Sequence, residues 1–443
     1  MNIRLSDHFT YRRLLRFVLP SIGMMLVTSV YSIVDGFFVS NFVGKNAFAA
    51  VNLVMPVLMA LGSFGFMIGT GGSALVAKTL GEGDRALANR IFTMLIRVIL
   101  LAGVACSVLG FLFMRPIALA LGASEAILED CVLYGRILLI SNTPFMLLNA
   151  FQSFFVTAEK PSLGLAVTAL AGGGNMVLDF LFIYVLRMGL FGAAVATALS
   201  EYLGGIVCLC YFARPNTSLL RFVKTDMEAR PIGQACFNGS SEMLSSLSSS
   251  FVGILYNLQL IRLAAENGIA AYGVLMYVNF VFMACFIGYA MGSAPVVSFH
   301  YGAGNHAELK SLFRKSLAVV CTAGVAMTAA AILLAEPLAR LFVGYDAELM
   351  ALTVNGLRYY SLSFLLSGFN IFGSAFFTAL NNGPVSALIS FSRTMVLEVA
   401  AILILPKLFG IDGVWLAVVV ADGITLLLTS GLLLAYRKKY RYA

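Results

Sequence analysis

FVLPSIGMMLVTSVYSIVDGFFVSNFV, residues 17–43, is apolar from end to end apart from one acid, Asp35. As a helix it would reach roughly 40 Å, enough to cross the ~30 Å hydrocarbon core of a bilayer. It is too long for the apolar core of a cleavable leader and has no evident small-residue cleavage site. It is therefore expected to stay as a first membrane helix.

Working outward, similar runs recur along the whole chain. Of 443 residues, 60% are hydrophobic and only 11% charged, where a soluble domain carries about a quarter charged. Spans are expected at 17–43, 47–76, 91–114, 131–157, 163–186, 189–212, 235–261, 269–299, 316–335, 350–380, 385–406 and 411–435. The fold class read from this is an all-α polytopic membrane protein of twelve transmembrane helices. Period-two alternation, the mark of a β-barrel, is absent. The net charge of +8 sits in short loops between the apolar runs, so it does not mark a nucleic-acid partner. The seven cysteines lie mostly inside apolar runs with no metal-like spacing and read as buried thiols.

Twelve crossings place both termini on one side. The segments on that side hold nineteen Lys and Arg residues, from Arg4 to Arg441. The opposite side holds six: Lys45, Arg115, Arg187, Arg262, Arg340 and Lys407. The excess of basic residues predicts cytoplasmic termini, in a plasma (inner) membrane.

The chain also repeats itself. Shifted by 221 residues, NAFQSFFVTA (149–158) lies over NIFGSAFFTA (370–379) with six identities in ten, and Glu201 falls on Asp422. MVLD (176–179) lies over MVLE (395–398) at a slightly different shift. The expected domains are residues 1–221 and 222–443, each a six-helix lobe, joined by a polar linker over 214–234. Six is even, so both halves enter the membrane the same way. Rocking of such halves around a central site is a common route to alternating access.

Six acids fall within the spans: Asp35, Asp179, Glu201, Glu242, Glu398 and Asp422. Each costs about 3 kcal/mol near the bilayer centre on insertion scales, and such residues mark ion or proton paths. Counted at 1.5 Å per residue from the outer basic residues, Asp35 and Thr197 lie ~15 Å deep and Asp179 ~12 Å. Asn175 is one turn from Asp179 on the same face. Two carboxylates, an amide and a hydroxyl at one depth suit a hard monovalent cation or a proton; equally, such a cluster could only fix helix packing. The second half has Tyr256 where the first has Asp35, so the ion chemistry is expected to centre in the first half. Glu242 opens a serine-rich helix (240–250) that reads as a cavity wall or a close helix contact. Arg393 is expected to pair with Glu398 or another buried acid.

Other motifs carry less. GTGGSA (69–74) formally fits a nucleotide-binding glycine pattern but lies at the end of a helix, where close packing explains it better. LGEGD (80–84) and YGAGN (301–305) read as matching helix caps and turns. There is no phosphate-binding loop and no nucleophile–base pair, so the chain is not expected to be an enzyme.

These pieces together resemble the multidrug and toxic compound extrusion (MATE) family: IVDGFFV in the first span, GTGGSALVAKTLGEGD at the end of the second, Asn175 and Asp179 in the fifth, GAAVAT in the sixth. With the twelve spans and the repeat, the resemblance covers essentially the whole chain. It implies two lobes forming a V around a cleft, and export of cationic amphipathic compounds driven by inward Na⁺ or H⁺. Position by position it implies a first-lobe cation site of Asp35, Asn175, Asp179 and Thr197. Glu201, Glu242, Arg393, Glu398 and Asp422 stand as further coupling or cleft residues. Some branches carry an essential Asp in span ten, where this chain has Asn370, so a second-lobe cation site of that kind is not expected. No cofactor beyond the coupling ion is expected, and no resident metal. The expected partners are the small cationic substrate and membrane lipid, with the chain acting as a monomer. A lipid-linked oligosaccharide flippase and a non-transporting receptor or scaffold are the alternatives.

Overall fold

The computed structural model describes residues 3–344 and 346–443. Twelve helices are long and apolar enough to cross a membrane: α1 Tyr11–Val43, α2 Asn46–Gly81, α3 Arg85–Ala120, α4 Glu125–Thr157, α5 Pro161–Val185, α6 Gly189–Ala213, α7 Ala229–Ala265, α8 Asn267–Gly302, α9 His306–Leu333, α10 Ala347–Ala379, α11 Gly383–Phe409 and α12 Ile411–Tyr440. Each overlaps one expected span. Several run further at the end that bears the termini, because polar first turns continue the helix into the headgroup region. Asp84 and Asn305 cap α3 and α9 there, accepting from Leu87 N at 2.8 Å and Glu308 N at 3.1 Å. Gly83 and Gly304 just before them have φ of +90° and +65°, as the two matching glycine turns require.

Six of these helices precede and six follow an irregular stretch from Arg214 to Glu228, and the two sets are called the first and second lobe. In the first lobe, α4 is the central helix, almost wholly buried, and Phe92, Phe151, Phe154 and Phe212 close around its terminal-side end. Pro144 interrupts α4 and leaves the Ile140 carbonyl without its helical donor; the Tyr202 hydroxyl of α6 supplies one at 2.9 Å. In the second lobe α10, which matches α4 in the repeat, is the most buried helix, and Trp415 of α12 is fully buried. The outer faces are apolar and exposed, as on α3 at Leu101, Val104, Val108 and Leu112. That suits lipid rather than water.

The lobes meet at the end that bears the termini. There α2 crosses α7 and α8 so closely that backbone touches backbone. A methyl group on Gly239 would fall 1.9 Å from the Met67 carbonyl oxygen, and one on Gly81 2.0 Å from that of Phe299. Of the glycines in GTGGSA, Gly71 serves this crossing, facing the Ala235 carbonyl and Gly239, while Gly69 packs on Ala150 of α4 and Gly72 on Leu95 and Phe154. Asn238 seals the crossing, its buried amide donating to Gly71 O (3.3 Å) and Thr378 O (2.9 Å). The chain before α1 clasps both lobes: Leu5 N donates to Glu159 Oε1 at 2.6 Å, Phe9 N to Glu308 Oε1 at 2.9 Å, and His8 Nδ1 lies 2.5 Å from Glu308 Oε2. Burial in this clasp pushes the Glu159 carboxyl above its ordinary range. Toward the other end Val30 and Phe37 of α1 are exposed.

Gly239→Ala is therefore expected to part the lobes at the closed end. Spin labels replacing Glu82 and Ala303 should move further apart than in the wild-type protein; an unchanged distance would mean the crossing has slack that the backbone contacts deny.

Candidate functional site

Three helices of the first lobe bring Asp35, Asn175, Asp179 and Thr197 together. Asp35 (9% exposed), Asn175 (1%) and Asp179 (0%) are buried. Asn175 Nδ2 donates to Thr197 Oγ1 at 3.4 Å, tying α5 to α6. The Asp35 and Asp179 carboxyl groups lie within hydrogen-bonding reach of each other, with Glu201 of α6 as the next acidic neighbour. Small residues allow the approach: a methyl on Gly172 would fall 2.7 Å from the Tyr31 ring, so α1 lies directly on α5.

Both acids stand beside widened turns. The last stretch of α1, Val39–Val43, and of α5, Phe180–Val185, is π-helical. The first begins one turn after Asp35 and the second immediately after Asp179. Such segments cost regular hydrogen bonds and gather at functional sites.

Among the described residues no positively charged group lies beside these acids. Asp35 Oδ1, both Asp179 oxygens and Asn175 Oδ1 have no hydrogen-bond partner within the protein. Two facing carboxylates withdrawn from water repel each other and need a proton or a cation between them. The free oxygens, all hard donors, fit either. Tyr134 of α4 is fully buried with its hydroxyl also unpartnered, and Asp35, Glu201 and Asp179 are its charged neighbours. Sequence reading missed Tyr134, because a tyrosine in an apolar helix carries no signal until α4 proves to be the lobe's centre.

The second lobe is built differently. Arg393 of α11 pairs with Asp422 of α12, Nε to Oδ1 at 2.5 Å and Nη2 to Oδ2 at 3.2 Å. Of the expected partners it takes Asp422 directly, with Glu398 as a further acidic neighbour. Ser367 donates to Asp422 Oδ2, and Asn370 to the Asp422 backbone oxygen at 2.9 Å. Tyr256 donates to Glu398 Oε1 at 3.2 Å and stacks on Tyr272 with ring centroids 4.9 Å apart. A third π-helical stretch, Ser392–Glu398, carries both Arg393 and Glu398. Glu242 stands apart from both clusters, half-buried on α7 with no charged group beside it.

The MatE family model matches this chain twice, over residues 20–181 and 243–404, so the repeat in the sequence is a repeat of one family unit. The chain belongs to the MatE family. It is a membrane transporter, not an enzyme. Among its relatives, the multidrug export protein MepA of Staphylococcus haemolyticus (strain JCSC1435) is 23% identical over 431 residues, covering 97% of this chain and 94% of the relative. The fold agrees with solved structures. A MATE in complex with MaL6 superposes with a TM-score of 0.93, at 22% identity and 98% coverage of both chains. An outward-facing multidrug resistance MATE family transporter of the MOP superfamily gives 0.92, at 23% identity and 98% coverage of both.

The first-lobe geometry has a measurable signature. At alkaline pH and low Na⁺, where the pair is denied a cation, Asp179→Asn should raise the unfolding midpoint by removing the repulsion. An equal or lower midpoint would show that the carboxylates are already satisfied within the protein.

Proposed function

We propose that this MatE chain exports small cationic amphipathic compounds by alternating access, exchanging them for Na⁺ or H⁺ that enters through the first lobe. The observation that carries the reading is the Asp35–Asp179 pair, two buried carboxylates with no cation supplied by the protein. In this reading a cation taken from the open side neutralises the pair and lets α1 settle against α5 and α6. An incoming cationic drug then lowers the affinity for it. An ion drives such a cycle only through its different affinity for the two states. Exchange of one monovalent cation for one singly charged drug moves no net charge. A tenfold ion gradient would then be worth about 1.4 kcal/mol, enough for tenfold accumulation of the drug outside.

The printed names of the relatives support multidrug export. Against the flippase alternative, the arginines within the spans are largely committed. Arg97 donates to Thr225 O at 2.6 Å, Arg136 to Phe111 O at 3.2 Å, and Arg393 is held by Asp422. That leaves few basic groups to line a path for an anionic pyrophosphate headgroup. The surplus of Lys and Arg at the terminal end supports cytoplasmic termini in a bacterial plasma membrane. The cleft would then open outward. One chain supplies both lobes, so the monomer is taken as the working unit.

Ethidium efflux from proteoliposomes, with Na⁺ and pH gradients imposed separately, tests the proposal. One gradient should drive efflux. Asp35→Asn should lower the driven rate at least about tenfold, a loss of some 1.4 kcal/mol, while leaving the chain folded by circular dichroism. Full efflux from that variant would refute the role of the pair.

A further inference from the structure

The two lobes share one repeated unit and each gathers buried acids, yet among the described residues only the second sets a basic side chain against one of them. In the first lobe, Asp35 and Asp179 have oxygens with no partner in the protein. In the second, the Asp422 carboxylate is completely buried and completely satisfied. It takes two contacts from the Arg393 guanidinium, one from the Ser367 hydroxyl and a long one, 3.5 Å, from the Asn370 amide. The guanidinium also donates to Ser367 Oγ at 3.2 Å, so one cation links α10, α11 and α12. Glu398 lies on its other side, held by Tyr256.

The repeat shows how the two lobes differ. Counting back by 221 or 219 residues from Arg393 lands on Gly172 or Gly174, and counting forward by 221 from Asp35 lands on Tyr256. Where the first lobe has a glycine the second has an arginine, and where the first has an acid the second has a tyrosine; Arg393 holds Asp422 and Tyr256 donates to Glu398. We infer that Arg393 is a built-in cation: its guanidinium permanently fills, in the second lobe, the role that an exchangeable cation fills in the first. The second lobe is thereby held in one packed arrangement throughout the cycle, and the first lobe alone responds to the ion. This goes beyond the proposed coupling and does not depend on which ion the first lobe takes.

A buried pair that served packing alone would not care which free ion was offered after Arg393 is cut away. A cation site will, and it should prefer a planar guanidinium that restores the forked contacts. The test is Arg393→Ala in an Asp35→Asn background, which disables the first-lobe pair, with the unfolding midpoint followed in detergent. The truncation should lower the midpoint. Guanidinium chloride at about 10 mM, far below denaturing levels, should restore much of the loss saturably, as a millimolar ligand of the folded state does. Equal sodium chloride or urea should not, and neither should guanidinium act on the parent that keeps Arg393. A flat response of the truncated protein, or an equal response of both proteins, overturns the inference. If Arg393→Ala alone does not accumulate, Arg393→Ala/Asp422→Asn should, because removing both members of a buried pair spares the orphaned charge. Failure of the double variant as well would also overturn it.

Discussion

A carboxylate withdrawn from water must find a positive charge, and in a helix bundle surrounded by lipid there are few places to find one. That constraint organises this molecule. In the second lobe the charge is covalently attached, as Arg393 against Asp422. In the first lobe none of the described residues supplies it, and Asp35 and Asp179 face each other with unpartnered oxygens. Such a pair can be stable only with a guest between its members, and a guest can leave. On the proposal made above, the difference between a fixed counter-ion and a mobile one is what separates the two halves in the cycle.

The rest of the architecture gives that local event leverage. The lobes are stiff, with aromatic cores around α4 in one and Trp415 in the other. They touch backbone to backbone at Gly71, Gly81, Gly239 and Gly302, where no side chain can cushion the contact. A small change in how α1 lies on α5 is far from this crossing, yet α1 itself reaches it. A methyl on Gly288 would fall 2.5 Å from the Ile22 Cα, and one on Gly292 2.8 Å from a Val18 methyl. One helix therefore carries Asp35 in its far half and part of the inter-lobe seam in its terminal half.

Much of this was legible in the sequence, because bilayer thickness and the cost of buried charge act on composition directly. Twelve apolar runs, the 221-residue repeat and the depth of Asp35, Asn175, Asp179 and Thr197 needed no coordinates. The partner of Arg393 was left between Glu398 and another acid, since helices α11 and α12 meet at an angle that spacing along one chain cannot give. Tyr134 was invisible because its significance comes from three acids on other helices. The clasp of Leu5, His8 and Phe9 on Glu159 and Glu308 was missed for the same reason: each residue lies in or beside a loop, and only the meeting of the lobes brings them together. Gly71 was read correctly as a packing position, but what it packs against became known only from the fold, and Gly81, read as part of a helix cap and turn, is a contact between the lobes as well.

The central claim is that the first-lobe pair surrenders a cation when drug binds. Its most direct test is to add a cationic drug to purified protein in lightly buffered solution and to follow H⁺ with an indicator dye and Na⁺ with a selective electrode. The account expects drug binding to release one of the two ions, the release to vanish in Asp35→Asn, and the release to persist in Glu398→Gln. Undiminished release from Asp35→Asn, with drug still bound, would contradict it.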